Sequence, residues 1–184
     1  IVHQLGIDGA RLFMTSFDRP NITLNVAHDV SGRAKQRAIV QFIQRHRGES
    51  GIVYCLSRKT TEEVAAMLRS AGINARHFHA GMGTAAKLAV QRDFINDEVT
   101  VIVATIAFGM GIDKSNVRWV IHYNLPKSIE SYYQEIGRAG RDGVPAEALL
   151  FYSYADIIQL TKFAQDSAQA EVNIEKLTRM QQYA

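Results

Sequence analysis

Two arginines and one glutamine in the second half of the chain could stabilise charge on a transferring phosphoryl group. Gln134 and Arg138 are four residues apart and share one face of a predicted helix, and Arg141 follows just beyond it. Gly140 and Gly143 free the backbone around Arg141 to turn. An arginine offers a rigid fork of donors for phosphate oxygens, and arginine fingers accelerate phosphoryl transfer. Arg138 and Arg141 are therefore candidate catalytic residues.

A hydroxyl and a guanidinium stand where a predicted strand gives way to a helix. Ser57 and Arg58 follow the apolar run 51–55 and precede a helical pattern. A helix N-terminus presents free backbone N–H groups and the positive end of the helix dipole, so the pair could hold a phosphate. A simple helix N-cap would use the same residues, and the pattern alone leaves both interpretations open.

The loop after the next predicted strand consists of His79, Ala80, Gly81 and Met82. Gly81 would let the backbone approach a ligand closely. The pair His77 and His79 could indicate a metal ion, but no cysteine follows and nothing nearby in the sequence supplies four ligands. The sequence therefore predicts no metal site.

A glycine-bearing turn follows the β-branched run 100–104. Thr105 stands at the end of this buried strand, and Gly109 and Gly111 favour a turn that changes shape or lies against another surface. Asp113 could accept a hydrogen bond from a ribose hydroxyl, or it could pair with Arg138 or Arg141. The residues do not decide between these alternatives.

The composition indicates one globular domain with a substantial core. Of the 184 residues, 47% are hydrophobic and 21% are charged, which argues against disorder. The net charge of +3 is compatible with a phosphate-bearing partner but does not require one. No apolar stretch approaches the ~18 residues of a membrane span. The first residues have neither an initiator Met nor the form of a signal peptide, so we expect the chain to begin within a longer protein.

Strand and helix patterns alternate along the chain. Strands are predicted at 22–26, 51–55, 75–78, 100–104, 117–122 and 146–152. Helices are predicted at 33–47, 128–138, 154–165 and 171–183. Two more helices are predicted, one from Thr60 that Gly72 stops and one from Thr84 with Val90 and Phe94 facing inward. Thr60 and Glu63 could form a capping box, and Thr84 could cap the next helix. Apolar strands separated by helices predict an α/β fold with a parallel sheet covered on both faces. Ligands in such sheets bind at the carboxyl ends of the strands, here the loops after residues 55, 78, 104 and 122.

The sequence also predicts whether several single side chains are buried or exposed. Cys55 and Trp119 lie in apolar strands and are expected in the core. At least one of two neighbouring tyrosines, Tyr132 and Tyr133, should also be buried, because adjacent helical positions face different ways. Three cationic residues are expected to be surface charges: Lys114, Arg118 and Lys127.

Four strings resemble the motifs of superfamily 2 helicases in their RecQ form. The string 134–143 resembles motif VI, and the preceding Ser131-Tyr132-Tyr133 and the closing Asp142-Gly143 are typical of the RecQ branch. The segments 51–58 and 104–114 are similar to motifs IV and V. The segment 16–22 resembles the RecQ connection between the two motor lobes. The resemblance covers roughly residues 12–165.

The resemblance implies a RecA-like second lobe of an ATP-dependent DNA helicase that moves 3′ to 5′. It implies ATP contacts by Gln134, Gly111, Asp113, Arg138 and Arg141. It implies contacts with the DNA strand by Ser57, Arg58, His79, Ala80, Gly81, Met82, Thr105 and Phe108.

The motifs that would hold the nucleotide phosphates and Mg²⁺ are not found in this sequence. There is no Gly-x-x-x-x-Gly-Lys-Ser/Thr string, and no acidic pair follows a strand. ATP and Mg²⁺ would then be held mainly by an upstream RecA-like lobe of the same protein, while this chain supplies the arginines. The lobe alone, expected to be a monomer, should hydrolyse no ATP and unwind nothing.

The resemblance also implies a domain order. Residues 1–12 would be the tail of the upstream lobe or a linker, 13–165 the second lobe, and 166–184 the start of a helical segment before a zinc module. Zinc is expected in the parent protein and not in this chain. The parent would act on single-stranded DNA and duplex junctions, in the bacterial cytoplasm and nucleoid or in a eukaryotic nucleus, and not outside the cell.

Two other functions fit the residues less well. A diverged helicase-like protein could keep Ser57, Arg58 and Thr105 as a nucleic-acid-binding module without motor function. An unrelated doubly wound enzyme would need a complete site within the chain. Neither a nucleophile–base pair nor a dinucleotide fingerprint is found, since the turn 109–111 lacks the third glycine of Gly-x-Gly-x-x-Gly.

Overall fold

The computed structural model describes residues 19–109 and 112–184. Predictions that fall on residues 1–18 and on Gly111 lie outside the described residues. The strands are β1 (Ile22–His28), β2 (Ser50–Tyr54), β3 (Ala75–Phe78), β4 (Val101–Ala104), β5 (Val117–His122) and β6 (Ala146–Tyr152). The helices are α1 (Gly32–Arg45), α2 (Arg58–Ser70), α3 (Thr84–Ile95), α4 (Ile129–Ile136), α5 (Tyr154–Gln165) and α6 (Ala170–Tyr183).

All six strands lie in one parallel sheet with the order β1-β6-β5-β2-β4-β3. Alternate residues of each strand point to opposite faces, so the core has two parts. Ile52, Ile102 and Val120 belong to one cluster, which α3, α4, α5 and α6 cover. Val53 and Val103 belong to the other cluster, which α1 and α2 cover. The predicted α/β sheet with helices on both faces is confirmed.

The centre of the second cluster is Trp119, which is fully buried as predicted. Its indole ring fills the space in front of Gly51 on the neighbouring strand β2, where a Cβ atom would overlap the ring. Phe42 of α1 meets the indole edge to face at 5.9 Å. Gly51 is therefore required by the size of Trp119. Cys55 is also buried, as predicted.

Two helix starts differ from the sequence prediction. Ser57 is the N-cap of α2, and its Oγ accepts a hydrogen bond from the backbone N–H of Thr60 at 3.0 Å. The capping box of Thr60 and Glu63 is therefore wrong, because the helix begins three residues earlier. The N-cap of α3 is Gly83, so Thr84 is the first helical residue and not the cap.

The surface-charge prediction was wrong for Lys114. Its side chain is buried, and its ammonium group donates a hydrogen bond to Asp97 at 2.7 Å. Lys127 is exposed, as predicted. Arg118 is half-buried, and its Nη2 donates to both carboxylate oxygens of Asp142, at 2.7 and 2.6 Å.

The C-terminal helices pack onto the lobe. Leu177 and Met180 of α6 are buried in the same cluster as Tyr132 of α4. Tyr132 is 1% exposed and Tyr133 is 40% exposed, which confirms that one of the pair is core. Within residues 19–109 and 112–184, no helix combines the length and apolar character needed to cross a membrane.

Candidate functional site

The helix α4 positions the two candidate arginines. Ser128 caps its start by accepting from the backbone N–H of Ser131 at 3.1 Å. Glu135 accepts a 2.6 Å hydrogen bond from His122 of β5, and both side chains are buried. After the helix, the backbone N–H of Gly140 donates to the carbonyl of Val117 at 2.8 Å. Val117 is the first residue of β5, so the arginine loop lies beside the amino end of that strand.

Arg138 is held against the turn that follows β4. Its Nη1 donates a 2.6 Å hydrogen bond to the carbonyl oxygen of Gly109. Gly109 has a φ of 131°, and a Cβ atom there would overlap the guanidinium group. The Nε of Arg138 is buried and has no hydrogen-bond partner among the described residues. An enclosed donor of this kind would meet a ligand oxygen only after the guanidinium group moves.

Arg141 reaches the far side of the same turn. Its Nη1 donates to the carbonyl of Ile112 at 3.2 Å and lies 3.8 Å from the Asp113 carboxylate. The Asp113 side chain is 98% exposed. Of the alternatives left open for Asp113, the structure contains a loose ion pair with Arg141. Gln134 is exposed on α4, one helical turn before Arg138.

Sequence reasoning missed two residues that hold the arginine loop. Arg19 donates through Nη2 to the carbonyls of Ala139 and Gly140, at 3.1 and 2.8 Å. Asn21 donates to the carbonyls of Gly140 and Val144, at 2.8 and 3.1 Å. Both lie in the segment that resembles the connection between lobes, so the resemblance was the available signal.

The predicted DNA-contact residues lie at the other end of the sheet. The Arg58 Nη1 atom is 3.0 Å from the position of a Cβ on Gly81, so the loops after β2 and β3 meet. Ser57 and Met82 are half-buried, whereas Arg58, Ala80 and Gly81 are exposed. Backbone, hydroxyl and guanidinium donors are thereby concentrated on one edge, which suits an anionic strand.

His79 is more deeply placed than the other residues of its loop. It is 6% exposed, and its Nε2 is 2.9 Å from Glu62 Oε1 of α2. Its Nδ1 is buried without a partner among the described residues. His77 stacks on the His79 ring, with centroids 5.5 Å apart. Burial lowers the pKa of His77, and the neighbouring His79 lowers it further.

Thr105 and Phe108 differ in what they can contact. Thr105 is half-buried at the carboxyl end of β4, and its backbone N–H donates to Phe78 at 3.2 Å. Phe108 is fully buried between Phe78 and Phe94, with ring centroids 4.9 and 5.7 Å away. Its predicted contact with DNA is therefore corrected, because the side chain packs into the core and leaves no accessible surface.

The buried Tyr54 is a further residue that sequence reasoning missed. Its hydroxyl donates a 3.2 Å hydrogen bond to the Phe108 carbonyl, which anchors the turn from inside. Burial raises the pKa of Tyr54, although the nearby Arg138 opposes the rise. The phenol therefore remains a neutral donor.

The segment from Thr105 to Asp113 connects the two groups of residues. It begins at the carboxyl end of β4 beside the predicted DNA-contact loops, and its carbonyls at 109 and 112 accept from Arg138 and Arg141. The predicted DNA-contact residues lie in loops that follow the carboxyl ends of β2, β3 and β4, where ligands are expected to bind. The loop that carries the arginines passes the amino end of β5 at Gly140, because α4 runs back along the sheet.

A family model described as the helicase conserved C-terminal domain matches residues 34–143. Among curated relatives, the ATP-dependent DNA helicase RecQ of Haemophilus influenzae is 46% identical over 187 residues, covering 100% of this chain and 30% of the relative. The RecQ-like DNA helicase blm-1 of Caenorhabditis elegans is 48% identical over 163 residues, covering 89% of this chain and 16% of the relative. The chain thus spans less than a third of either protein.

Solved structures share the fold. A DEAD box protein from Methanococcus jannaschii has a TM-score of 0.67 and 27% identity, covering 80% of this chain and 40% of that one. Dbp5 of Saccharomyces cerevisiae has a TM-score of 0.74 and 21% identity, covering 99% of this chain and 44% of that one. The second likeness is one of fold alone. The family match and the shared fold show that the chain belongs to the helicase conserved C-terminal domain family, and its curated relatives named above are RecQ helicases.

Proposed function

We propose that the chain is the C-terminal motor lobe of a RecQ-like DNA helicase, which couples ATP hydrolysis to 3′-to-5′ movement along DNA. The observation that carries the proposal is the attachment of both arginines to the turn 109–113. A nucleotide that draws Arg138 or Arg141 toward its phosphates would pull on this turn. Thr105 at the start of the same segment would then move against the DNA strand.

The proposed ATP side consists of Gln134, Gly111, Asp113, Arg138 and Arg141. The partly exposed guanidinium of Arg141 suits phosphate oxygens, and Arg138 could reach them once it leaves the Gly109 carbonyl. Arg141 would leave the Ile112 carbonyl and the Asp113 carboxylate to stabilise charge developing on the γ-phosphoryl group. Mg²⁺ and the phosphate loop would be held by an upstream RecA-like lobe, so the chain alone would be inactive.

The proposed DNA side consists of Ser57, Arg58, Thr105 and the loop 79–82. The Ser57 hydroxyl already caps α2 by accepting from the Thr60 N–H, so the remaining free N–H groups of that helix end would meet a phosphate. Arg58 lies over Gly81 and could reach the same strand. Because these are backbone contacts, we expect little dependence on base sequence and a strong dependence on salt.

The test uses the chain joined to its upstream lobe. Arg141→Ala should abolish DNA-stimulated ATP hydrolysis while a fluorescent ATP analogue still binds, since removal of an arginine finger costs about 10³-fold or more in turnover. The matched control is Arg179→Ala, an exposed arginine on α6 that pairs with Glu175. Retained turnover in Arg141→Ala would reject the arginine-finger role.

The same experiment separates the proposal from a nucleic-acid-binding module without motor function. That alternative expects binding of single-stranded DNA with no DNA-stimulated ATPase activity, even when the upstream lobe is present. Arg58→Ala would then weaken DNA binding without any effect on hydrolysis. DNA-stimulated hydrolysis by the unmodified protein favours the motor.

A further inference from the structure

Three side chains with metal-binding atoms lie together at the edge of the sheet formed by β3. Glu62, His77 and His79 each offer one donor atom, and these atoms lie within 4.8 Å of one another. His79 Nε2 is 2.9 Å from Glu62 Oε1. The rings of His77 and His79 are stacked, with 14° between their planes.

The fold explains why the three residues meet. Residues two apart on an extended strand point to the same side, so His77 and His79 share one face at the end of β3. Glu62 comes from the first half of α2, the helix that packs on this strand. The His79 side chain is 7% exposed and fixed, whereas that of Glu62 is 56% exposed and can adjust. One rigid ligand and one adjustable ligand can therefore close around an ion.

The donor set is that of a borderline transition metal. Histidine nitrogen and carboxylate oxygen bind Zn²⁺ at about 2.0–2.2 Å, which puts neighbouring ligand atoms about 3.4 Å apart in a tetrahedron. Donor atoms up to 4.8 Å apart need to approach by up to about 1.4 Å to reach this spacing, which rotation of the exposed Glu62 and the half-buried His77 supplies. We propose that Glu62, His77 and His79 form a binding site for a divalent transition metal ion of the Zn²⁺ class, with water in the fourth position.

The involvement of His77 distinguishes the metal site from a simple hydrogen bond between Glu62 and His79. The contact between Glu62 and His79 alone could serve as a hydrogen bond that orients the loop, and that role does not involve His77. A metal site requires all three ligands. This site differs from the sequence prediction, which expected no metal. That prediction took into account only residues near His77 in sequence, so it did not include Glu62.

The experiment measures metal binding by the 184-residue chain itself. Zn²⁺ is titrated by calorimetry, and Co²⁺ is used as a spectroscopic probe because its visible absorption reports tetrahedral coordination. The expected result is one equivalent of Zn²⁺, with at least tenfold weaker binding in His77→Ala and in Glu62→Gln. The buried Cys55 is the chain's one thiol, so a thiolate-to-cobalt band is not expected.

The matched control is His28→Ala, which removes an exposed histidine from β1 and should leave the affinity unchanged. Circular dichroism of each variant checks that the fold is retained. If Glu62→Gln fails to fold, His77→Ala still decides, because His77 is only half-buried. The proposal is overturned if the chain shows no saturable Zn²⁺ binding, or if His77→Ala binds as tightly as the unmodified chain.

Discussion

The guanidinium of Arg138 occupies the space that any side chain at Gly109 would need. The same arginine donates a 2.6 Å hydrogen bond to the Gly109 carbonyl, and the residue has a φ of 131°. Position 109 therefore requires glycine for its backbone conformation and for the contact with the arginine. Both requirements can be tested with one substitution.

We predict that Gly109→Ala displaces Arg138 and strains the turn. The free energy of unfolding should fall by about 1–3 kcal/mol. In the two-lobe protein, DNA-stimulated ATP hydrolysis should fall at least tenfold, because the arginine no longer rests where the turn holds it. Chemical denaturation and a steady-state ATPase assay measure the two effects.

Gly72→Ala is the control for backbone strain alone. Gly72 has a φ of 78°, but nothing lies within 4 Å of a Cβ added there. This variant should lose stability and keep its ATPase activity. Equal ATPase activity in the two variants would contradict the role of the Gly109 contact.

A second prediction concerns Arg19, whose guanidinium holds the carbonyls of Ala139 and Gly140. Arg19→Ala should leave these partly buried carbonyls unpaired and loosen the loop before Arg141. We expect a loss of about 1–3 kcal/mol in the free energy of unfolding, the cost of leaving a buried acceptor without a partner. The turnover number for ATP should fall more than the affinity for ATP.

The control for Arg19→Ala is Arg33→Ala, which removes an exposed arginine from the first turn of α1. It should change neither stability nor turnover. If Arg19→Ala retains the unmodified turnover number, the loop is held sufficiently by Asn21, and the positioning role of Arg19 is wrong.

A third prediction is a pH dependence of stability that arises from Asp97. The hydrogen bond from Lys114 lowers the pKa of this carboxyl below its ordinary 3.8. A depressed pKa means that the folded state favours the ionised form, so the stabilisation is present above pH 3.8 and is lost as the pH falls through the folded-state pKa. The unmodified chain should therefore exceed Asp97→Asn in stability at neutral pH.

Urea denaturation from about pH 6 down to about pH 3 should show that difference shrinking below the ordinary pKa of the carboxyl. Asp97 is largely exposed, so solvent screening keeps the effect small. A difference that stays constant down to the lowest pH would show that the ion pair with Lys114 does not control it.

The arrangement of elements could be predicted because it depends on local patterns. The apolar runs around Val53, Val103 and Ile121 indicate strands buried on both faces, and each is a strand with helices on both sides. The two arginines could also be identified as a pair, since the ten-residue motif that carries them is continuous in sequence.

The contacts that hold the site could not be predicted, since they join distant segments. Arg19 and the carbonyl of Gly140 are 121 residues apart. An arginine that is exposed to solvent and one that holds a loop have the same local sequence pattern. Only the pairing of β1 with β6 brings Arg19 close to the loop at Gly140. The surface prediction for Lys114 was wrong for the same reason, because its partner Asp97 lies 17 residues earlier, just after α3.

The predicted contact of Phe108 with DNA did not anticipate its burial, for a different reason. In a turn without helical or strand periodicity, nothing in the sequence decides whether an aromatic ring faces solvent or the interior. Here two phenylalanines, Phe78 and Phe94, form the pocket that receives it. The sequence could identify a turn of the right composition, but the direction of its side chains depends on tertiary packing.

A fragment cut to the residues that match the family model would lack β1 and β6. Residues 34–143 exclude both strands, although β6 lies between β1 and β5 in the sheet. Such a fragment would expose the backbone edge of β5, a strand of Val117, Trp119 and Ile121, and would lose the α5–α6 cover of one face. Unpaired apolar edges recruit other chains, so the trimmed fragment should aggregate. A boundary that retains Arg19 and continues through α6 should give soluble protein.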